Sequence, residues 1–379
     1  MRVAFINSDW NSEYRKKHNK MGGVGYYRMW LPKLAIEETT DWKVDFIGSE
    51  FPSMIDATNE DTILKSYVKF FNQYDLVMLK HFDNPNAGRF IVAASDITGV
   101  PFISDLDDDI LSVREDQPAF KKGYGKGGVQ QTVVATMLSF SKGLIVTNDY
   151  LGQNITKTIK DMSDIELPYW VIPNYNNQEE WSKYKSKTNK NKIVIGWHGS
   201  LTHNADLEMV MPTLRQILLE NKNVYLEFMG GVSADYVQKL FKDFELSLLN
   251  RIKIMGGTLA WHNFPYKLMK LKWDIGIAPL IDDKFNRSKS NIKWLEYSMK
   301  HIPTVASNVE PYRSITEGID GFLCTTKDDW YNALTKLIKS KTLRTKIGEK
   351  AHKEITKNWQ YQKAGKQYKK VIESVLKSK

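Results

Sequence analysis

Ile193-Val194-Ile195-Gly196-Trp197-His198-Gly199-Ser200-Leu201-Thr202-His203-Asn204-Ala205-Asp206-Leu207 is the stretch on which the fold turns. An apolar, β-rich run meets glycine and a hydroxyl residue and then enters a segment of helical period. That is the passage from a buried strand through a tight turn into a helix. The same grammar continues downstream at Val224 to Met229, Ile252 to Met255, Ile275 to Ala278, Thr304 to Ala306 and Phe322 to Cys324. It also precedes the stretch, at Val3 to Ile6, Val44 to Ile47, Leu76 to Leu79, Phe102 to Ile103, Leu144 to Val146 and Trp170 to Ile172.

Strands alternating with helices imply parallel sheets wrapped by helices, and 379 residues suffice for two such domains. The spacing predicts an α/β architecture of two Rossmann-like doubly wound domains facing a central cleft, completed by C-terminal helices. The first domain is expected over 1–174 and the second over 193–357. The polar stretch Asn174-Tyr175-Asn176-Asn177-Gln178-Glu179-Glu180-Trp181 onward to Lys192 has little to bury and predicts a linker over 175–192. Residues 358–379 read as a helix packing back toward the first domain.

Composition narrows the class further. With 42% hydrophobic and 26% charged residues the chain is neither fibrous nor disordered. No apolar run is long enough to span a membrane, and Met1 to Trp10 lacks a secretory core, so a cytoplasmic location is expected. The single cysteine, Cys324, excludes an intramolecular disulfide and a multi-thiolate metal site, and its apolar neighbours predict a buried structural thiol. The net charge of +10 is concentrated in the second half, above all after Leu334, while residues 1–174 are mildly acidic. Most of those cations read as solvated helix faces, although a basic C-terminal pair of helices could touch an anionic membrane.

Two glycine turns open helices. One is Met21-Gly22-Gly23-Val24-Gly25, and the other is Gly199-Ser200; each could bring backbone N–H groups to a phosphate, or be no more than a tight turn. Past the strand at Ile275 lies Phe285-Asn286-Arg287-Ser288-Lys289-Ser290-Asn291-Ile292-Lys293-Trp294-Leu295-Glu296-Tyr297. Ser288 to Asn291 can cap a helix there, which would set Lys289 and Lys293 on one helical face.

At these residues the chain resembles the GT-B glycosyltransferases, and from Ile193 to about Trp359 it is similar to the donor domain of the large retaining family 4. Trp197-His198-Gly199-Ser200, Asp206-Leu207, Asp274 to Leu280, Lys293 to Tyr297 and Pro303 to Ser307 fall in that family's order. The resemblance implies a nucleotide-sugar donor, most simply a UDP-sugar, no tightly bound cofactor and no required metal. It implies that Glu296, in the place of the second glutamate of a Glu-x7-Glu motif, holds the donor ribose. Ser288 stands where the first glutamate would be, and His203 near the place of a diphosphate-binding lysine. Arg287, Lys289 or Lys293 would then supply the missing positive charge. Gly22, Gly23, Gly199 and Ser200 would approach the diphosphate, and His81, Ser288 and Lys289 are the candidates nearest the sugar.

His81 could equally be a structural hydrogen-bonder. The run Asp105-Leu106-Asp107-Asp108-Asp109 could hold a divalent metal at Asp107, Asp108 and Asp109, cap a helix, or contact the acceptor. Two loops, Tyr14 to Lys20 and Phe120 to Lys126, interleave cations with aromatics, as a DNA or anionic-glycan acceptor would favour. The acceptor readings are a hydroxymethylated base in DNA, of phage type and then in a host cytoplasm, or a saccharide, lipid-linked or protein acceptor in surface-glycan assembly. A non-catalytic nucleotide-sugar-binding module is the reading from a different class.

Overall fold

A computed structural model describes residues 1–7, 21–48, 51, 59–117, 119–185, 191–231, 234–256 and 261–378. The chain divides into two compact units. The first comprises Met1–Tyr175, Ser288–Ser290 and Tyr361–Lys379, and the second Asn176–Arg287 and Asn291–Gln360.

The first unit is built on β1 (Arg2–Ile6), β2 (Lys43–Ile47), β3 (Leu76–Lys80), β4 (Phe102–Leu106), β5 (Leu144–Val146) and β6 (Tyr169–Val171). All pair in parallel, in the order β2-β1-β3-β4-β5-β6. β3 and β4 are buried throughout, as expected of strands covered on both faces. The connections are α1 (Leu31–Thr39), α2 (Glu60–Phe71), α3 (Pro85–Thr98), α4 (Val129–Phe140) and α5 (Asp149–Ser163). Asn59, Asn84 and Asn148 cap α2, α3 and α5 by accepting backbone N–H bonds, and Gly99 ends α3 at φ 66°, where a side chain would be strained.

The second unit repeats the plan with β7 (Ile193–Gly199), β8 (Val224–Gly230), β9 (Ile252–Met255), β10 (Ile275–Ala278), β11 (Thr304–Ser307) and β12 (Phe322–Cys324). Its parallel order is β12-β11-β10-β7-β8-β9. Among the described residues its α-helices of five or more residues are α6 (Gln178–Ser182), α7 (Asn204–Glu220), α8 (Ala234–Phe241), α9 (Phe264–Lys270), α10 (Ile292–Met299), α11 (Lys327–Lys339) and α12 (Lys341–Asn358). Cys324 is buried in β12, and burial pushes its thiol well above the ordinary range, which suits the structural role expected of it.

The stretch 175–192 does bury something, contrary to the reading of a polar linker. Asn177 caps α6, and Trp181, 1% exposed, packs edge-on against Trp261 and Phe264 at 6.3 and 6.2 Å. One indole supplies the apolar area that the polar composition around it conceals.

The final helix, α13 (Gln362–Lys377), groups with the first unit and packs on α1. Gly365 allows the two backbones to touch, because a Cβ there would meet the Ala35 carbonyl oxygen at 2.2 Å. Tyr368, Val371, Ile372 and Val375 form its buried stripe, and Lys363, Lys366, Lys370 and Lys377 remain exposed. Among the described residues no helix is long and apolar enough to cross a membrane.

Candidate functional site

In the second unit the chain leaves β7 for β8 and β9 on one side, then returns to lay β10 against the other side of β7. Loops after such neighbouring strands part in opposite directions and leave a crevice at the carboxyl edge, where doubly wound folds bind ligands. Asp206, fully buried in the first turn of α7, ties these two loops together. Its Oδ1 accepts from the backbone N of Ile281, beyond β10, at 2.9 Å and from Asn286 Nδ2 at 2.7 Å. Its Oδ2 lies 2.8 Å from His203 Nδ1, and His203 Nε2 lies 3.0 Å from Lys293 Nζ on α10. His203 and Lys293 are 7% and 5% exposed, so a carboxylate, an imidazole and an ammonium form one buried line.

Beside that line, Glu296 sits one helical turn after Lys293, with Oε2 3.1 Å from His198 Nε2 at the end of β7. The separation is that of an ion pair, without the alignment of a hydrogen bond. Phe264, Trp273 and Tyr297 surround the His198 ring. Tyr297 donates its hydroxyl to the Ile277 carbonyl at 3.1 Å, and burial drives its phenol far above the ordinary range, so it stays protonated. Gly199 is required sterically: a Cβ there would meet Trp197 Cζ2 at 2.5 Å and His203 Cδ2 at 3.1 Å. Ser200, exposed, pairs its hydroxyl with that of Thr202 at 2.8 Å. The crevice thus carries a carboxylate able to accept from hydroxyls, a buried ammonium, and the start of a 17-residue helix without a side-chain cap.

The other basic candidates have different partners. Arg287 makes a paired contact with Asp282 at the surface, at 2.5 and 2.9 Å. Ser288, Lys289 and Ser290 group with the first unit. There the Lys289 carbonyl accepts from Asn148 Nδ2 at 2.7 Å, Lys289 Nζ lies 3.4 Å from Asp108, and Ser290 Oγ accepts from Asn174 Nδ2 at 3.0 Å. Lys289 and Lys293 therefore do not share a helical face. α10 begins only at Ile292, and Asn291 at its N-cap makes no side-chain cap bond. Between the short helix Lys284–Arg287 and α10, the side chains of Lys289, Ser290 and Asn291 engage Asp108, Asn174 and Ser314 instead of winding a further helical turn. The Ser288 side chain is fully buried.

In the first unit Gly22 precedes a short helical turn, Gly23–Gly25, that runs through a π turn into α1. Gly23 has open space around it. Gly25, outside the expected pair, makes the close approach, since a Cβ there would meet Asn7 Nδ2 at 2.5 Å. Arg28 from the π turn grips Asp105 at the end of β4 through Nε at 2.8 Å and Nη2 at 2.7 Å, and also donates to the Ile172 carbonyl. Tyr368 of α13 reaches the same carboxylate at 3.3 Å. Burial alone would lower the Arg28 guanidinium, but the charge of Asp105 outweighs it and holds it firmly protonated.

Asp105 is thereby committed to structure, Asp108 to Lys289, and Asp109 is buried. Among the described residues no group of three or more His, Cys, Asp or Glu side chains is set to hold a metal ion. His81 is half-buried, and its backbone N donates to the Asp105 carbonyl at 3.2 Å. In the loop Phe120 to Lys126 the lysines are exposed, while Tyr124 donates its hydroxyl to Asp83 and a Cβ at Gly125 would meet the Phe120 ring at 2.8 Å. The loop Tyr14 to Lys20 lies outside the described residues.

Sequence reading missed His198, Asp206, Asn286 and Gly25 as members of this architecture. His198 and Asp206 stand in the motif itself, but their partners lie about 75 to 100 residues further along the chain, which no local pattern reveals.

Two six-stranded parallel sheets with interleaved helices define the two-domain α/β GT-B glycosyltransferase fold. No family model matches the chain, and no curated protein matches it by sequence. Solved structures do. Anabaena Alr3699/HepE in complex with UDP-glucose superposes with a TM-score of 0.67 at 15% identity, over 99% of this chain and 100% of its own. A glycosyltransferase from Rickettsia africae ESF-5 gives 0.63 at 14%, over 100% and 99%. A Listeria monocytogenes protein described as a UDP-N-acetylglucosamine 2-epimerase gives 0.53 at 10%, over 100% and 97%. Identities this low speak to the fold, which hosts more than one chemistry.

Proposed function

We propose that the chain is a glycosyltransferase that moves a sugar from a UDP-sugar to an acceptor hydroxyl with retention of configuration. The observation that carries this reading is the convergence of Glu296, Lys293, His203 and the Gly199 turn at the carboxyl edge of β7. A nucleoside diphosphate leaving a sugar gains negative charge, and a helix start with a nearby ammonium is suited to stabilise it as it develops. On this reading Glu296 takes the ribose hydroxyls. The UDP-glucose held by Alr3699/HepE, in the same fold, supports the choice of donor.

The acceptor is proposed to be anionic, either a hydroxymethylated base in DNA or a surface glycan, because Lys121, Lys122 and Lys126 are exposed together. Tyr124 is engaged with Asp83, so this loop would offer charge in preference to base stacking. The test is incubation with a panel of nucleotide sugars and two acceptors, hydroxymethylated duplex DNA and cell-envelope extract, followed by mass spectrometry. Release of UDP with a mass gain on one acceptor supports transfer, and the anomeric configuration of the isolated product, read by NMR against that of the donor, reports retention. Interconversion of donor sugars without any acceptor would point to an epimerase, and UDP binding without turnover to a non-catalytic module.

A further inference from the structure

Three cations, Arg287, Lys289 and Lys293, compete for the role of the charge facing the nucleotide's diphosphate, and their partners separate them. Arg287 is taken up by Asp282 and Lys289 lies against Asp108, both carboxylates that offset the charge directly. Lys293 instead meets a nitrogen of His203, and that imidazole stands between it and Asp206.

The protonation pattern along this line follows from its geometry. Asp206 is completely buried and receives N–H donors at Oδ1 from Ile281 and Asn286, which favours the ionised carboxylate. The His203 nitrogen facing it, Nδ1, must then carry hydrogen, because a bare nitrogen against a carboxylate oxygen at 2.8 Å would be repulsive. With Nδ1–H fixed, Nε2 of the neutral ring is an acceptor, and the ammonium of Lys293 at 3.0 Å fills it. So long as Lys293 is an ammonium, a second proton on the ring would set N–H against N–H. The charged groups meeting His203 include Asp206 from α7 and Lys293 from α10, while Trp197 of β7 packs against the ring at 6.1 Å. Tyr312, near Asp206 and Glu296, is held neutral by burial and by those two carboxylates.

We infer that Asp206, His203 and Lys293 form a positioning relay in which a neutral His203 holds the Lys293 ammonium as the cation for a nucleoside diphosphate. The inference rests on the donor reading above and adds to it which cation acts and what aims it. The neutral imidazole accepts from the Lys293 ammonium without setting a negative charge against it, and the ring holds one orientation because Asp206 fixes it from behind. His203 is a positioning residue here, acting through Lys293.

The test has two arms. In the first, full-length protein carrying ¹⁵N-labelled histidine is titrated by long-range ¹H–¹⁵N NMR, with His203→Gln providing the assignment. His203 should show the Nδ1–H neutral form throughout about pH 5.5 to 8.5, whereas an ordinary histidine titrates near 6.5. Lys293→Met should release it to titrate in that range. A wild-type His203 that gains a proton near pH 6.5 overturns the relay without any variant being needed.

In the second arm UDP is the calorimetric probe. Lys293→Met and His203→Leu should each weaken binding by roughly tenfold or more, while His203→Gln, whose amide oxygen can still accept from Lys293, should stay within about threefold. If His203 is locked but UDP affinity ignores Lys293→Met, the relay exists and its assignment to the diphosphate is wrong. If wild-type protein binds no UDP, the transferase reading itself fails, and the NMR arm still decides the relay.

Discussion

His198 Nε2 and Glu296 Oε2 stand 3.1 Å apart with side chains only 9% and 5% exposed, joining the end of β7 to the middle of α10. A carboxylate this enclosed is held in one place before any ligand arrives, which is what recognition of two vicinal hydroxyls demands. On the proposed donor reading Glu296→Ala weakens UDP affinity by about 1.5 to 3 kcal/mol, the size expected for hydrogen bonds to a charged group. Calorimetry with UDP checks it, and an unchanged affinity in a variant that melts like wild type removes Glu296 from the site.

The Arg28–Asp105 pair belongs to stability. Both groups are essentially fully buried, and Asp105 also receives Tyr368 from α13, so one carboxylate joins the start of α1, the end of β4 and the C-terminal helix. Removing one partner strands the other charge, a loss of about 3 to 5 kcal/mol, whereas replacing both with apolar groups costs much less. Arg28→Met and Asp105→Leu should each lower the urea midpoint sharply, and the two combined should recover part of it. Additive losses in the double variant would show that the pair is not the unit of stability.

Twelve strands were legible because β-rich apolar runs bounded by glycine, proline or asparagine are a local signal, and Val3 to Ile6 or Ile252 to Met255 need no distant partner to be recognised. What was not legible depends on contacts between distant segments. Nothing near Trp181 announces that it will lie on Trp261 and Phe264, and nothing near Asp206 announces Ile281 or Asn286. The expected shared face of Lys289 and Lys293 failed for the same reason: helical spacing holds only if the helix exists, and contacts to Asn148 and Asp108 keep Lys289 out of it. Nor is it legible which glycine of the first turn is crowded: Gly25 is and Gly23 is not, a distinction set by Asn7 just after β1.

Lys300 gives the protein a pH dependence of its own on the alkaline side. It is 1% exposed and donates to the Met269 carbonyl at 3.2 Å, and burial lowers its ammonium from 10.5 to about 8 despite the opposing pull of Asp274. Between those two values the unfolded chain holds a proton that the folded chain has released, so stability rises with pH across the window. Relative to Lys300→Met, which lacks the group, the wild type should gain on the order of 2 to 3 kcal/mol from pH 7.5 to 10.5. Urea unfolding at several pH values measures the difference, and parallel curves for the two proteins would contradict it.

His301 acts at the acid end. Its backbone is left-handed at φ 59°, and its ring stacks on His352 with centroids 3.6 Å apart. His301 is exposed as a residue, but desolvation of its ring, then the neighbouring His352, lowers it from 6.5 to about 4, and burial lowers the half-buried His352 as well. Here too the folded state is the poorer proton binder, so the stability present above pH 6.5 is lost as pH falls toward 4 and changes no further below it. His301→Asn keeps a residue that tolerates the left-handed region and removes one titrating ring of the stack. Its urea midpoint should therefore fall less than that of the wild type between pH 7.5 and pH 4.5. An equal fall would assign the acid sensitivity to other groups, and a midpoint already lowered at pH 7.5 would show that the stacked ring supports the fold in its neutral form.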